Sequence, residues 1–131
     1  MATAKANFEL VSFDESTVTE FDDGGKLTRA TVTQRLTGEM EGEVVDELLM
    51  YYWPDGTTEI TGFSRFTGRI GDRSGGYVGQ AAGHYDGSEV HGTASVLPGS
   101  GTRGLSGLRG EVESGAPHGS TGWIMIDYQL D

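Results

Sequence analysis

Glu47 and Ser64 lie on either side of the segment Trp53-Pro54-Asp55-Gly56-Thr57. A two-residue turn at Asp55-Gly56 sets them opposite each other. On that register Tyr51, Leu49 and Ile60 share their face, so a carboxylate sits among apolar groups. Burial raises a carboxyl pKa toward the range useful for general acid or base catalysis, and a phenol such as Tyr51 can donate a proton to a developing enolate or alkoxide. Glu47 and Tyr51 are the expected catalytic pair. The competing reading makes Glu47 a satisfied polar group inside a barrel, or an interface carboxylate paired with Arg29 or Arg35. On the opposite face the same register pairs Asp46 with Arg65 as a structural cross-strand ion pair.

The remaining candidates belong to a ligand pocket. Ser64 faces Glu47. Gln80 stands among small residues, Gly79, Ala81, Ala82 and Gly83, which leave space beside a polar side chain. Asp127 and Tyr128 lie in the last apolar segment, and Arg109 either binds main-chain carbonyls at a barrel end or faces a ligand at its mouth. His84 and His91 bracket a hairpin with Asp86 and Glu89 nearby, but a turn at Asp86-Gly87 sets His84 against Glu89 and His91 against Ala82. That register separates the imidazoles and argues against a metal site. The chain has no GxSxG, Walker, HExxH or Rossmann sequence, and no cofactor is expected.

The 131 residues show no break in composition and fit one domain, residues 1–131, able to bury roughly two thirds of its unfolded surface. Twenty acidic against nine basic side chains leave a net charge of −11, which repels phosphate backbones and anionic membranes. Nucleic acid and membrane are excluded as expected partners. No segment approaches the roughly 20 apolar residues of a membrane span. The absence of cysteine removes disulfides and thiolate chemistry and fits a cytoplasmic protein.

The patterning is that of strands. Residues 5–13 alternate with Ala6, Phe8 and Leu10 on one side, and residues 27–37 alternate with Ala30, Val32 and Leu36. Between them DESTVTEFDDGGK reads as a polar connection. The hairpins around Pro54-Asp55-Gly56-Thr57 and Asp86-Gly87, followed by GEVES and GWIMIDYQL, bring the count to about eight strands and no helix. That count fits an antiparallel sandwich or barrel, and closure into a barrel removes exposed edges. Both faces of LLMYYW are apolar, so its outer face is expected to be covered by a subunit partner or another segment. In GSGTRGLSGLRGE, residues 99–111, the glycines permit a sharp corner that Leu105 and Leu108 pin to the core, and no helix follows that would make it a phosphate cradle.

Taken together, LTRATVTQRLTGEMEGE, the Glu47 to Tyr52 stretch with PDGT, FTGRIGDRSGGYVGQ and LPGSGTRGLSGLRGE resemble the bacterial family called domain of unknown function 3224. The resemblance implies a single antiparallel eight-stranded meander barrel, similar to those of allene oxide cyclases and dirigent proteins, which bind small apolar molecules and steer a cyclisation or coupling. The chain departs from the family pattern at Ala81, where a histidine is usual after the glutamine, and at Ser64, where an acidic residue is usual. The functional expectation is an all-β, cofactor-free barrel that associates with copies of itself and binds a small apolar metabolite, with cyclase or isomerase activity at Glu47 and Tyr51. The alternative is a non-catalytic ligand-binding or structural barrel.

Overall fold

The computed structural model describes residues 1–117 and 120–130. The strands are β1 (Ala2–Glu20), β2 (Lys26–Gly38), β3 (Met40–Tyr52), β4 (Thr58–Ile70), β5 (Arg73–Tyr85), β6 (Val90–Val96), β7 (Thr102–Arg103), β8 (Arg109–Ala116) and β9 (Thr121–Gln129). All pairings are antiparallel. Hydrogen bonding runs from β1 through β6 in order, then through β8 and β9 back to β1, which closes an eight-stranded meander barrel. The two-residue β7 lies outside the ring, paired with Gly75 and Gly76 of β5.

Alternation decides what enters the lumen. In β2, Thr28, Ala30, Val32 and Leu36 are buried, and in β9 Ile124 and Ile126 are buried. β1 changes phase midway, because its pairing with β2 shifts between Leu10 and Ser12. Even residues Ala4, Ala6 and Phe8 face inward before this bulge, and after it Phe13 lines the lumen and Glu15 accepts from the Thr28 hydroxyl at 2.6 Å. A bulge adds one residue to one strand and so exchanges its faces.

β1 also runs further than its sequence pattern suggests. Residues 14–20, expected as a connection, continue the strand and pair with Lys26 to Thr31. β9 pairs with β1 only as far as Glu9, so these residues lie beyond the closed ring, exposed on both faces. Without a buried side there is no reason for apolar alternation, which explains why the segment looks like a loop in sequence.

One end of the barrel is plugged. Leu36, Met40, Ile70, Leu105, Leu108 and Ile126 are essentially inaccessible and belong to one core cluster. Leu105 and Leu108 arrive on the corner expected of residues 99–111, in which Gly99 (φ 88°) and Gly107 (φ 81°) adopt left-handed backbone. The Leu108 N–H donates to the Leu105 carbonyl at 3.1 Å, folding both side chains onto the core.

Candidate functional site

Toward the other end, where the β3–β4 and β5–β6 loops lie, the lumen holds a cavity of about 200 Å³. Its wall is predominantly apolar, with Phe8, Phe13 and Phe66 among its side chains. The polar groups on it include Gln34, Asp46, Ser64 and Tyr77. Asp46 and Ser64 are directly opposed across β3 and β4, and the serine hydroxyl donates to Asp46 Oδ1. Tyr77 is buried and stacks on Phe66 with ring centroids 5.3 Å apart.

The electrostatics follow from this placement. Burial pushes the Asp46 carboxyl up from its ordinary value; the Ser64 hydrogen bond acts in the opposite sense, and the nearby Glu47 charge adds a further upward push. Burial likewise pushes the Tyr77 phenol up, assisted by the charge on Asp46, and no hydrogen bond contributes to that shift. No Lys, Arg or His side chain lines the cavity among the described residues.

The folded state holds the Asp46 proton more tightly than the unfolded chain, so stability falls as pH rises through the carboxyl's titration range. Asp46→Asn keeps an oxygen for the Ser64 hydroxyl and removes the buried charge. We expect it to unfold at a higher temperature than the wild type at neutral pH, with the difference vanishing at acidic pH. A variant less stable than the wild type at neutral pH would contradict this.

The hairpin register separates Glu47 from Ser64. Tyr52 and Thr58 form the last β3–β4 pair; the Trp53 N–H donates to the Thr57 carbonyl and the Gly56 N–H to the Trp53 carbonyl, both at 2.9 Å. The loop thus has three residues, Pro54, Asp55 and Gly56, with Gly56 left-handed at φ 91°, a type I turn closed by a glycine bulge. Relative to a two-residue turn the partners slip by one position, and Ser64 meets Asp46 while Glu47 meets Phe63. Glu47 is exposed on the outer wall and accepts from the Thr31 hydroxyl at 3.1 Å. Arg65, expected opposite Asp46, faces Val45.

Tyr51 is also on the outside, edge-on to Phe21 and Trp53 at 5.9 and 5.0 Å. These two rings from the chain itself cover part of the outer face of β3, while Leu49 and Phe63 remain exposed there. Gln80 is exposed opposite Phe63. Asp127 accepts from the Thr3 hydroxyl at 2.6 Å. Tyr128 packs against the core cluster outside the cavity wall, and Arg109 is exposed in β8 opposite Gln129. Of the sequence candidates, Ser64 alone lines the cavity. Ala81 lines it too.

The second hairpin departs differently: it keeps a two-residue loop but moves its tip along by one residue, which shifts the cross-strand partners by two. The Asp86 N–H donates to the Glu89 carbonyl, so the tip is Gly87-Ser88 and His84 pairs directly with His91. The imidazoles are neighbours rather than separated, and each engages a carboxylate: His84 with Glu59 at 3.1 Å and His91 with Glu89 at 2.7 Å. No group of three or more potential metal donors occurs among the described residues.

The fold and cavity together define a class: a closed antiparallel eight-stranded barrel, plugged at one end, with an apolar lumen carrying few polar groups. Residues 4–128 match the model of a family described as "Protein of unknown function (DUF3224)", and the chain belongs to that family. A crystal structure of a DUF3224-family protein of unknown function from Shewanella oneidensis MR-1 superposes with a TM-score of 0.76 at 19% identity, covering 100% of this chain and 98% of that one. At that identity the likeness concerns the fold. No curated protein matches the chain. No helix among the described residues is long and apolar enough to cross a membrane.

Proposed function

We propose that the barrel binds one small, largely apolar molecule in its lumen, held in orientation by Asp46 and Ser64. The observation that carries this reading is the cavity of about 200 Å³ with Asp46 and Ser64 hydrogen-bonded on its wall. Dry apolar cavities of ~150 Å³ suffice to take up benzene, so the space suits one ring with a short arm. A small number of placed polar groups in an apolar lining is the usual construction of a ligand site. The binding reading requires no reaction, and Glu47 and Tyr51, the groups first expected to move protons, lie on the outer wall.

Titration calorimetry with indole is expected to give saturable binding. Ala81→Leu and, separately, Val90→Phe extend side chains into the lumen and are expected to weaken binding about tenfold or more, since the added carbons occupy the ligand's volume. Circular dichroism verifies that each variant keeps its strands. Binding by the wild type that survives in both folded variants would place the ligand elsewhere and defeat the proposal.

A further inference from the structure

The polar end of the cavity is unevenly supplied with donors and acceptors. An ionised aspartate is acceptor-only, and a serine has one hydrogen to give. Ser64 donates that hydrogen to Asp46 Oδ1. What the pair then offers a ligand is acceptor capacity alone: Oδ2 of Asp46 and the remaining lone pairs on the Ser64 oxygen. A molecule seated against it must bring the hydrogens. Gln34 and Tyr77, also on the wall, can donate or accept and impose no contrary demand.

Charge points the same way. Asp46 is a carboxylate held in a predominantly apolar wall with no lysine, arginine or histidine beside it among the described residues. Removing one ion from water is costly unless an opposite charge accompanies it. The same wall carries Phe8 and Phe13, and the faces of such rings attract cations. At longer range, a net charge of −11 raises the local concentration of cations around the chain and lowers that of anions.

Resting on the lumen-binding reading above, we propose that the ligand is a small amine: a protonated nitrogen donating to Asp46 Oδ2 and the Ser64 oxygen, attached to an apolar body that fills the space between the aromatic side chains. The nitrogen supplies what the aspartate lacks, several donors and a positive charge in one compact group. A carboxylate of the same shape would be repelled, and an alcohol would offer one hydrogen and no charge.

The test is a matched series titrated into the full-length protein by calorimetry: 2-phenylethylamine, 2-phenylethanol, 4-phenylbutan-2-one and phenylacetate, at neutral pH and fixed low salt. The amine is expected to bind roughly tenfold or more tightly than the alcohol and ketone, the margin of a charge-assisted over a neutral hydrogen bond, with no detectable binding of phenylacetate. In Asp46→Asn the amine should fall to the level of the alcohol, while the alcohol's affinity changes little. The amine's affinity should also decline as pH falls through the Asp46 titration. Burial sets that titration first, with the Ser64 hydroxyl on β4 and the neighbouring Glu47 charge acting on it; Tyr77 on β5 also faces the carboxylate and feels its charge. An alcohol or ketone that equals or exceeds the amine would overturn the head-group assignment and leave the lumen reading standing. A preference for the amine that persists in Asp46→Asn would overturn it as well. If no member of the series binds, both readings fall.

Discussion

Leu105→Ala and Leu108→Ala are each expected to lower the free energy of unfolding by about 2–5 kcal/mol, the range for truncating a fully buried leucine in a core that cannot collapse onto the gap. Leu105 is 0% and Leu108 1% exposed, and both pack in the main core cluster with Leu36, Met40, Ile70 and Ile126. The surrounding strands are tied into a closed ring, so the backbone has little freedom to move inward and fill the space. A typical domain has only about 5–15 kcal/mol to lose, which makes either change a large fraction of the total. Urea denaturation should show a lower midpoint with an unchanged slope. Ser106→Ala, exposed on the same corner, should stay within about 0.5 kcal/mol of the wild type. A loss below about 1 kcal/mol at both leucines would mean that this segment does not plug the barrel.

The role of that corner was readable in the sequence because glycines and leucines make different demands there. Gly99 and Gly107 take left-handed backbone, and the two leucines have nowhere to go but the core. The strands of the ring were equally legible, since each has a buried face that imposes alternation, whereas the choice of a barrel over a sandwich rested on the family resemblance. Residues 14–20 lack such a face, and their strand character comes from main-chain pairing with β2, which leaves no mark on side-chain type.

The site was harder to read because it depends on register, and register depends on how an aspartate is used in a turn. At both Asp-Gly pairs the aspartate was expected as the first of two loop residues. Instead Asp55 accepts from the Thr57 N–H and Asp86 from the Ser88 N–H, each at 2.9 Å. Main-chain hydrogen bonds hold both carboxyls below their ordinary values, from the Thr57 N–H at Asp55 and from the Glu89 N–H, then the Ser88 N–H, at Asp86. A side chain that caps the main chain two residues on shifts the tip of the turn. One position of slip exchanges every cross-strand partner, and here it moved Ser64 from Glu47 to Asp46. The WPDGT segment does carry a signal for the correct register, because proline followed two residues later by a left-handed glycine suits the three-residue loop. Tyr77 had no local signal: its inward position follows from β5 pairing with β4, where it faces Phe66.

Gly122→Ala is expected to be the most damaging single methyl group on the closing seam of the barrel. Gly122 in β9 pairs with Phe8 in β1, where the two ends of the sheet meet. A Cβ there would lie 2.1 Å from the Gly115 carbonyl oxygen and 2.6 Å from Phe8 Cζ. The first neighbour is main chain in β8 and cannot rotate away; the second is a cavity-lining ring that would have to move off the glycine it covers. Overpacking of this kind costs about 1–3 kcal/mol, and the carbonyl contact puts Gly122→Ala at the upper end. Gly87→Ala separates the steric effect from the conformational one: its φ is +101° and nothing lies within 4 Å of its Cβ position. That variant should lose only the cost of left-handed backbone, about 1–2 kcal/mol, and should bind indole as the wild type does. Gly122→Ala should lose stability and lumen affinity together, because the ring that seals the seam is also part of the cavity wall. Wild-type affinity in a folded but destabilised Gly122→Ala protein would show that Phe8 does not help to form the binding space.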